Sequence, residues 1–445
     1  MIKIRECYSD EISQAIEGKL VGSKEKVSLL TIDSREKTNE ASIFFAIKGE
    51  KFDGHDYIED AINNGARIIV TEMDIDTSAT YIKVTSTVQA LGLFAKHFRS
   101  KARIIAITGS SGKTTTKNMV ISVLKQKYSV CGTYQNQNNE IGVPLTLLSA
   151  HDEEWCVVEM GMRSKGEIDW LARISEPEIC IVTNCGSAHI EYFKTKKSIL
   201  EAKMEIINYN PKIVFVPKER KFKRFEKKKL RFMYVDLKRS SETCKYSENG
   251  ISFNLKNKKG ETKAVILDTI SLCNCKNACF AYRVGEELGL SHEEIVNGLN
   301  EFRKEKNHED IIEIGQMTVI LDCYNASFEG VNEAIITLKK MSKRLNKTPC
   351  FFLGDMLELG EYSTELHREI GKNWKKFGIK KFYTYGENSR VISRVSNNVL
   401  HFENESEAIR ELSNLVQERY VLLVKGSRKM HLENIFNKLK EVYNE

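Results

Sequence analysis

Residues 103–120, RIIAITGSSGKTTTKNMV, decide how the rest of the chain is read. The apolar, β-branched run from 103 to 108 predicts a strand, and Lys113-Thr114-Thr115 opens a helix. Between them, Gly109-Ser110-Ser111-Gly112 forms a loop in which two glycines let backbone amides turn toward one centre. The helix N-terminus adds partial positive charge, so the turn suits an anion. Lys113 would reach the outer phosphates of a nucleotide, and the Thr114 hydroxyl would hold magnesium. With Ile107 before it and its first glycine at Gly109, the loop is shorter than the standard G-x-x-x-x-G-K-[ST]. A glycine turn without a ligand is the bland alternative. The order strand, loop, Gly-Lys-Thr, helix favours a nucleoside triphosphate. A kinase, a motor, a transporter subunit or a ligase could each carry such a loop.

Strand and helix alternate outward from it. Residues 155–160, 178–184 and 212–217 are apolar runs suited to strands covered on both faces, hence a mostly parallel sheet with crossover helices. A polar, strand-prone stretch covers about 231–270, and a helix runs from about 276 to 288. A second alternation, with strands at 317–322, 349–355, 380–386 and 420–426, predicts a Rossmann-like, doubly wound C-terminal domain. Short strands around 28–35, 41–50 and 67–72, with a helix near 56–66, predict a small α/β N-terminal domain. For 445 residues the expectation is an α/β protein of three domains, spanning 1–84, 85–311 and 312–445.

Hydrophobic residues make up 41% and charged ones 29%, and no apolar run is long enough to cross a membrane, which excludes a disordered scaffold and a membrane-spanning protein. The N-terminus, MIKIRECYSDEISQAIEG, has acids early and no apolar core, so no secretory signal is expected. The eleven scattered cysteines, including Cys273, Cys275 and Cys279, read as reduced thiols of a cytoplasmic protein, and not as a zinc site. Nine Lys or Arg against two Glu between 217 and 231 account for the whole net charge of +7. With only Phe222 and Phe225 interleaved, this run reads as a solvated face in preference to a nucleic-acid arm.

Glu159 closes one apolar strand and His189 lies just past the next, at the sheet edge where open α/β sheets place ligands. A carboxylate suits magnesium; an imidazole there is either a second ligand or a hydrogen-bonded loop histidine. Lys203, taken alone, is a helix lysine.

Together these motifs resemble the ATP-dependent Mur ligases of bacterial peptidoglycan synthesis. TGSSGKTTTK is similar to that family's shortened phosphate loop. NNEIGVPLTLL (138–148), EMGMRSKGEI (159–168), TNCGSAHIEYF (183–193) and EAKMEI (201–206) follow in family order. LGDMLELGEYSTELHREIG (353–371) and LVKGSRKMHLE (423–433) resemble the C-terminal signatures. DSR (33–35), FFAIKG (44–49) and DGHDYI (53–58) resemble the uridine-nucleotide domain. The resemblance implies a ligase that adds D-alanyl-D-alanine to UDP-N-acetylmuramoyl-tripeptide, using ATP and Mg2+ and passing through an acyl phosphate. Its three domains would hold the UDP-substrate, ATP and the dipeptide in turn. The chain is further expected to be a cytoplasmic monomer without nucleic-acid partners or membrane insertion.

The implied roles follow residue by residue. Gly109, Ser110, Ser111, Gly112, Lys113, Thr114 and Thr115 would cradle the nucleotide, with Asn139, Asn277 and Asp322 lining it. Thr114, Glu159, His189 and Lys203 would hold magnesium, Lys203 matching a lysine that is carbamylated in the family. Lys113, His189 and Lys203 are the implied catalytic groups. Ser34 and Arg35 would contact the uridine nucleotide, while Asp355 and Lys425 would face the active site. The chain departs from the family at Asn307-His308, where many members have Gly-Arg, at Cys273 in place of a histidine, and at Ser327-Phe328 in place of Asn-Pro. Those departures keep open a paralogue that couples another dipeptide or depsipeptide. A nucleotide-binding regulator that no longer ligates is the reading from a different class.

Overall fold

The computed structural model describes every residue except 50, 188–189, 238–242, 248–249, 258, 305–308 and 445. Three six-stranded sheets follow one another along the chain, with a small three-stranded sheet beside the second. In the first, Lys26–Thr31, Ser42–Phe45, Ala66–Thr71 and Thr80–Lys83 run parallel, with the antiparallel strands Ile2–Tyr8 and Lys19–Val21 at the edges. Those two edge strands were not apparent from the sequence pattern.

The second sheet positions the site. Its order is Arg231–Val235, Ile213–Pro217, Ile179–Val182, Arg103–Thr108, Trp155–Glu159, Val130–Gly132, all parallel. Successive residues bury on opposite faces. Ile104, Ala106, Cys156, Val158, Cys180 and Val182 enter one core. Ile105, Ile107, Trp155, Val157, Ile179 and Ile181 enter the other. That double burial is why these strands read as unbroken apolar runs. From Arg103–Thr108 the strand order proceeds one way through Trp155–Glu159 and the other way through Ile179–Val182. The phosphate loop therefore leaves the sheet at its topological switch point, where a crevice opens.

The stretch 231–270 divides. Its first strand, Arg231–Val235, completes the parallel sheet, whereas Lys245–Ser247, Gly250–Lys256 and Thr262–Leu267 form a separate antiparallel one. Arg220–Phe225, within the basic run, is a 3-10 crossover pinned by the buried Phe222. Lys218, Lys221, Arg224 and Arg231 pair with Asp236, Glu219, Glu201 and Glu287, so the run is a charged surface over an apolar anchor.

The third sheet has the order Asp310–Ile314, Met317–Asp322, Tyr420–Lys425, Thr348–Gly354, Lys381–Tyr385, Val399–Phe402, with only the first strand antiparallel. Asp310–Ile314 and Val399–Phe402 are half-exposed edge strands that the apolar-run criterion passes over. Helix Phe328–Leu345 starts where the Ser327 hydroxyl accepts from the Gly330 amide at 3.2 Å, a serine N-cap. Cys244 and Cys275 lie side by side with their sulfurs in contact. Packing brings together two residues whose spacing along the chain carried no such information. The other nine cysteines are free thiols, most of them buried. Among the described residues no helix is long and apolar enough to cross a membrane.

Candidate active site

Gly109 passes so close to the neighbouring strand end that an added Cβ would lie 1.9 Å from the Thr183 hydroxyl. Gly112, at φ +73°, caps helix Lys113–Leu124 in the left-handed region that favours glycine. Asn184 organises the turn between them. Its Oδ1 accepts from the Ser110 and Ser111 amides at 3.1 and 3.0 Å, and its Nδ2 donates to the Ser111 carbonyl and hydroxyl. Thr183 Oγ1 also donates to the Ser111 carbonyl at 2.7 Å. Lys113 curls back, its Nζ donating to the Gly109 carbonyl at 3.1 Å, which sets the ammonium over the loop.

Thr114 and Glu159 meet beside this lysine, the Thr114 hydroxyl donating to Glu159 Oε2 at 2.7 Å. Glu159 is only 2% exposed; its other oxygen accepts from Asn138 Nδ2 at 2.8 Å and its amide donates to Thr133 Oγ1 at 2.9 Å. A hydroxyl and a buried carboxylate, side by side at the carboxyl edge of the sheet, are the hard oxygen donors that magnesium prefers. Lys203 lies on helix Lys196–Met204, wholly enclosed. Burial, reinforced by the Lys113 charge, pushes its ammonium down to about 7. His189 lies outside the described residues, as do Asn307 and His308. Among the described residues no three His, Cys, Asp or Glu side chains converge on one point.

The remaining predicted residues are more dispersed. Asn139 stands just ahead of helix Gly142–Ser149, its Oδ1 accepting from the Ile141 and Gly142 amides at 3.3 and 2.8 Å. Asn277 packs its amide against Gly112, where an added Cβ would meet Oδ1 at 2.6 Å. Asp322 and Lys425, partners on adjacent strands, form an ion pair at 2.6 Å, and Lys425 also donates to the Asn325 carbonyl. The Asp355 carboxylate is occupied by the Asn388 amide and side chain and by the Ser389 amide. Arg35 is exposed and clamps Asp33, holding that carboxyl down at about 2, while the Ser34 carbonyl accepts from Asn64. In the DGH segment, His55 Nε2 accepts from the Glu72 amide, so Nδ1 carries the proton shared with Asp53.

Sequence reasoning missed Asn138 and Asn184, which fix the carboxylate and the loop, and a contact from the third sheet. Glu329, in the first turn of Phe328–Leu345, accepts from the Ser187 amide at 3.0 Å and hydroxyl at 2.7 Å, with Lys196 at 3.3 Å. A cavity of about 480 Å³ opens beside Asn139 and Gly161, against Trp170 and helix Thr87–Phe98. Another of about 450 Å³ lies around Arg99 and Arg103, at the opposite end of the strands from the loop.

Comparison with known proteins accounts for this arrangement. Residues 26–99 match the model described as the Mur ligase family catalytic domain, 107–285 the Mur ligase middle domain, and 309–428 the Mur ligase glutamate ligase domain. The UDP-N-acetylmuramoyl-tripeptide–D-alanyl-D-alanine ligase of Haemophilus influenzae is 31% identical over 97% of this chain and 98% of its own. The chain belongs to the Mur ligase family. Among solved family structures, MurF from Acinetobacter baumannii superposes with a TM-score of 0.90 at 27% identity, over 99% of this chain and 100% of that one. MurF ligase from Thermotoga maritima, solved in complex with ADP, superposes at 0.82 with 27% identity, over 94% of this chain and 98% of that one. The Mur ligase assignment thus covers all three sheets as well as the nucleotide loop.

Proposed function

We propose that this chain is the ATP-dependent ligase that joins D-alanyl-D-alanine to UDP-N-acetylmuramoyl-tripeptide in peptidoglycan precursor synthesis, acting as a monomer in the cytoplasm. The observation that carries the proposal is the end-to-end match, 31% identity over 97% of the chain. A shared phosphate loop alone would align only the centre.

A carboxylate is a poor electrophile, so it must first be activated. Attack of the tripeptide's terminal carboxylate on the γ-phosphorus of ATP forms an O–P bond and releases ADP, leaving an acyl phosphate. The free amine of D-alanyl-D-alanine adds to the acyl carbon, the tetrahedral intermediate expels phosphate, and the amine proton passes to water. Charge spread over the phosphoryl oxygens is the main obstacle in the first step, so catalysis rests on positioning and electrostatics. Lys113 and the amides of 109–115 would meet that charge. Thr114 and Glu159, in contact at 2.7 Å, would hold Mg2+ together with His189 and a carbamylated Lys203. Bound there, Mg2+ would neutralise phosphate oxygens. A neutral Lys203 amine, favoured by its burial, would add to carbon dioxide and release one proton to water, leaving an anionic carbamate in place of an ammonium. Asn139, Asn277 and Asp322 would line the nucleotide, Ser34 and Arg35 the uridine end, and Asp355 and Lys425 the dipeptide side.

Lys113→Ala tests this division of labour. Turnover should fall by roughly 10²–10³-fold, as for loss of one preorganised electrostatic contact. Binding of UDP-N-acetylmuramoyl-tripeptide, measured by calorimetry, should be unchanged. Normal turnover in the variant would contradict the assignment.

A further inference from the structure

The chain enters the third sheet through Glu309, a non-glycine residue at φ +56°, immediately before strand Asp310–Ile314. A residue with a Cβ adopts that backbone only where its surroundings hold it. Here the side chain supplies the hold. Its Oε2 accepts from the Thr269 hydroxyl at 2.6 Å and from the Ile270 and Ser271 amides at 2.9 and 3.2 Å. Lys304 Nζ donates to the Glu309 carbonyl. Burial and the Asp322 carboxylate push the Glu309 carboxyl upward, and the donors from Thr269 and Ile270 oppose them.

The bonds continue past Thr269. Its Oγ1 accepts from Asn274 Nδ2 at 2.8 Å, and Asn274 Oδ1 accepts from Asn277 Nδ2 at 2.9 Å. Every donor in the row points toward Glu309, so each bond polarises the next. With its nitrogen bonded to Asn274, Asn277 lays its amide group against Gly112, Oδ1 at 2.6 Å and Nδ2 at 3.0 Å from where a Cβ would stand.

We propose that Glu309 is a positioning residue for the nucleotide: through Thr269 and Asn274 it fixes the Asn277 amide against the phosphate loop, and it ties the first turn of the C-terminal unit to that loop. This rests on the nucleotide-dependent function proposed above. It adds that nucleotide affinity and seating of the C-terminal unit are linked, each favouring the other.

The test measures binding of ADP, and separately of UDP-N-acetylmuramoyl-tripeptide, to the full chain. Glu309→Ala should weaken ADP about tenfold, the effect of losing one hydrogen bond to a charged group, with the UDP-substrate constant unchanged. Asn274→Ala should weaken ADP similarly, and the double variant should be no worse than the weaker single one, because both cut one row. Glu309→Gln, which keeps an acceptor, should recover part of the loss; a merely structural role would move both constants and show no such rescue. If Glu309→Ala does not fold, the isosteric Thr269→Val breaks the row at its second link and is read in the same way. Wild-type protein that binds ADP alongside a Glu309→Ala variant that binds it equally well overturns this proposal alone. Wild-type protein that binds no ADP overturns the functional proposal and this one with it.

Discussion

A lysine sealed beside another cation has little to gain from its charge, and Lys203 is held in that state by burial and by Lys113. Its folded pKa of about 7 lies below its ordinary 10.5. Between those values the unfolded chain binds a proton that the folded chain does not, so the cost of burying the uncarbamylated lysine shrinks as pH rises through that window. The neutral amine is also the form that reacts with carbon dioxide. Turnover should therefore rise with pH through about 7 and respond to added bicarbonate. Lys203→Ala should lose activity and the bicarbonate response, with partial rescue by formate or acetate; normal turnover in that variant would remove the carbamate from the account. Lys113, Thr114 and Glu159 were legible in the sequence because each stands at a strand end or helix start that apolar patterning locates. Asn138 and Asn184 stand at equivalent ends. An asparagine there reads equally well as a turn residue, and only the folded geometry shows it gripping a carboxylate or a loop.

The strand–loop–helix element depends on two glycines for different reasons. Gly109 lacks room for a side chain; Gly112 combines a left-handed backbone with the close approach of Asn277. Gly112→Ala should cost about 1–2 kcal/mol in backbone strain and displace Asn277. ADP affinity should drop while the far-UV spectrum stays unchanged; an alanine variant that binds ADP as wild type does would show the turn to be tolerant. Elements buried on both faces, such as Arg103–Thr108 and Tyr420–Lys425, could be read from their continuous apolar runs. The edge strands Ile2–Tyr8, Asp310–Ile314 and Val399–Phe402 could not, since exposure on one side breaks up the continuous apolar run. The Cys244–Cys275 pairing was equally hidden, because sequence spacing does not report which distant residues pack together.

Across the whole molecule, the third sheet reaches the second through Glu329 on Ser187 and through the Tyr362 hydroxyl on the Lys194 carbonyl at 2.8 Å. Both contacts bracket the segment that carries His189. An acyl phosphate is destroyed by water, so the C-terminal unit should close over the centre when ATP and the UDP-substrate are bound. Small-angle scattering should show compaction on adding nucleotide and UDP-substrate, and Glu329→Ala should reduce it; an unchanged radius of gyration would argue against closure. Repeated strand–helix alternation made the three-sheet plan readable in advance, whereas the contacts between sheets involve single side chains that no periodicity announces. The central claim is tested most directly by following ADP and phosphate release from ATP in the presence of UDP-N-acetylmuramoyl-tripeptide, with and without D-alanyl-D-alanine. Sustained release that requires both substrates, with one phosphate per amide formed, is the expected result; nucleotide that stays intact under every combination would contradict it.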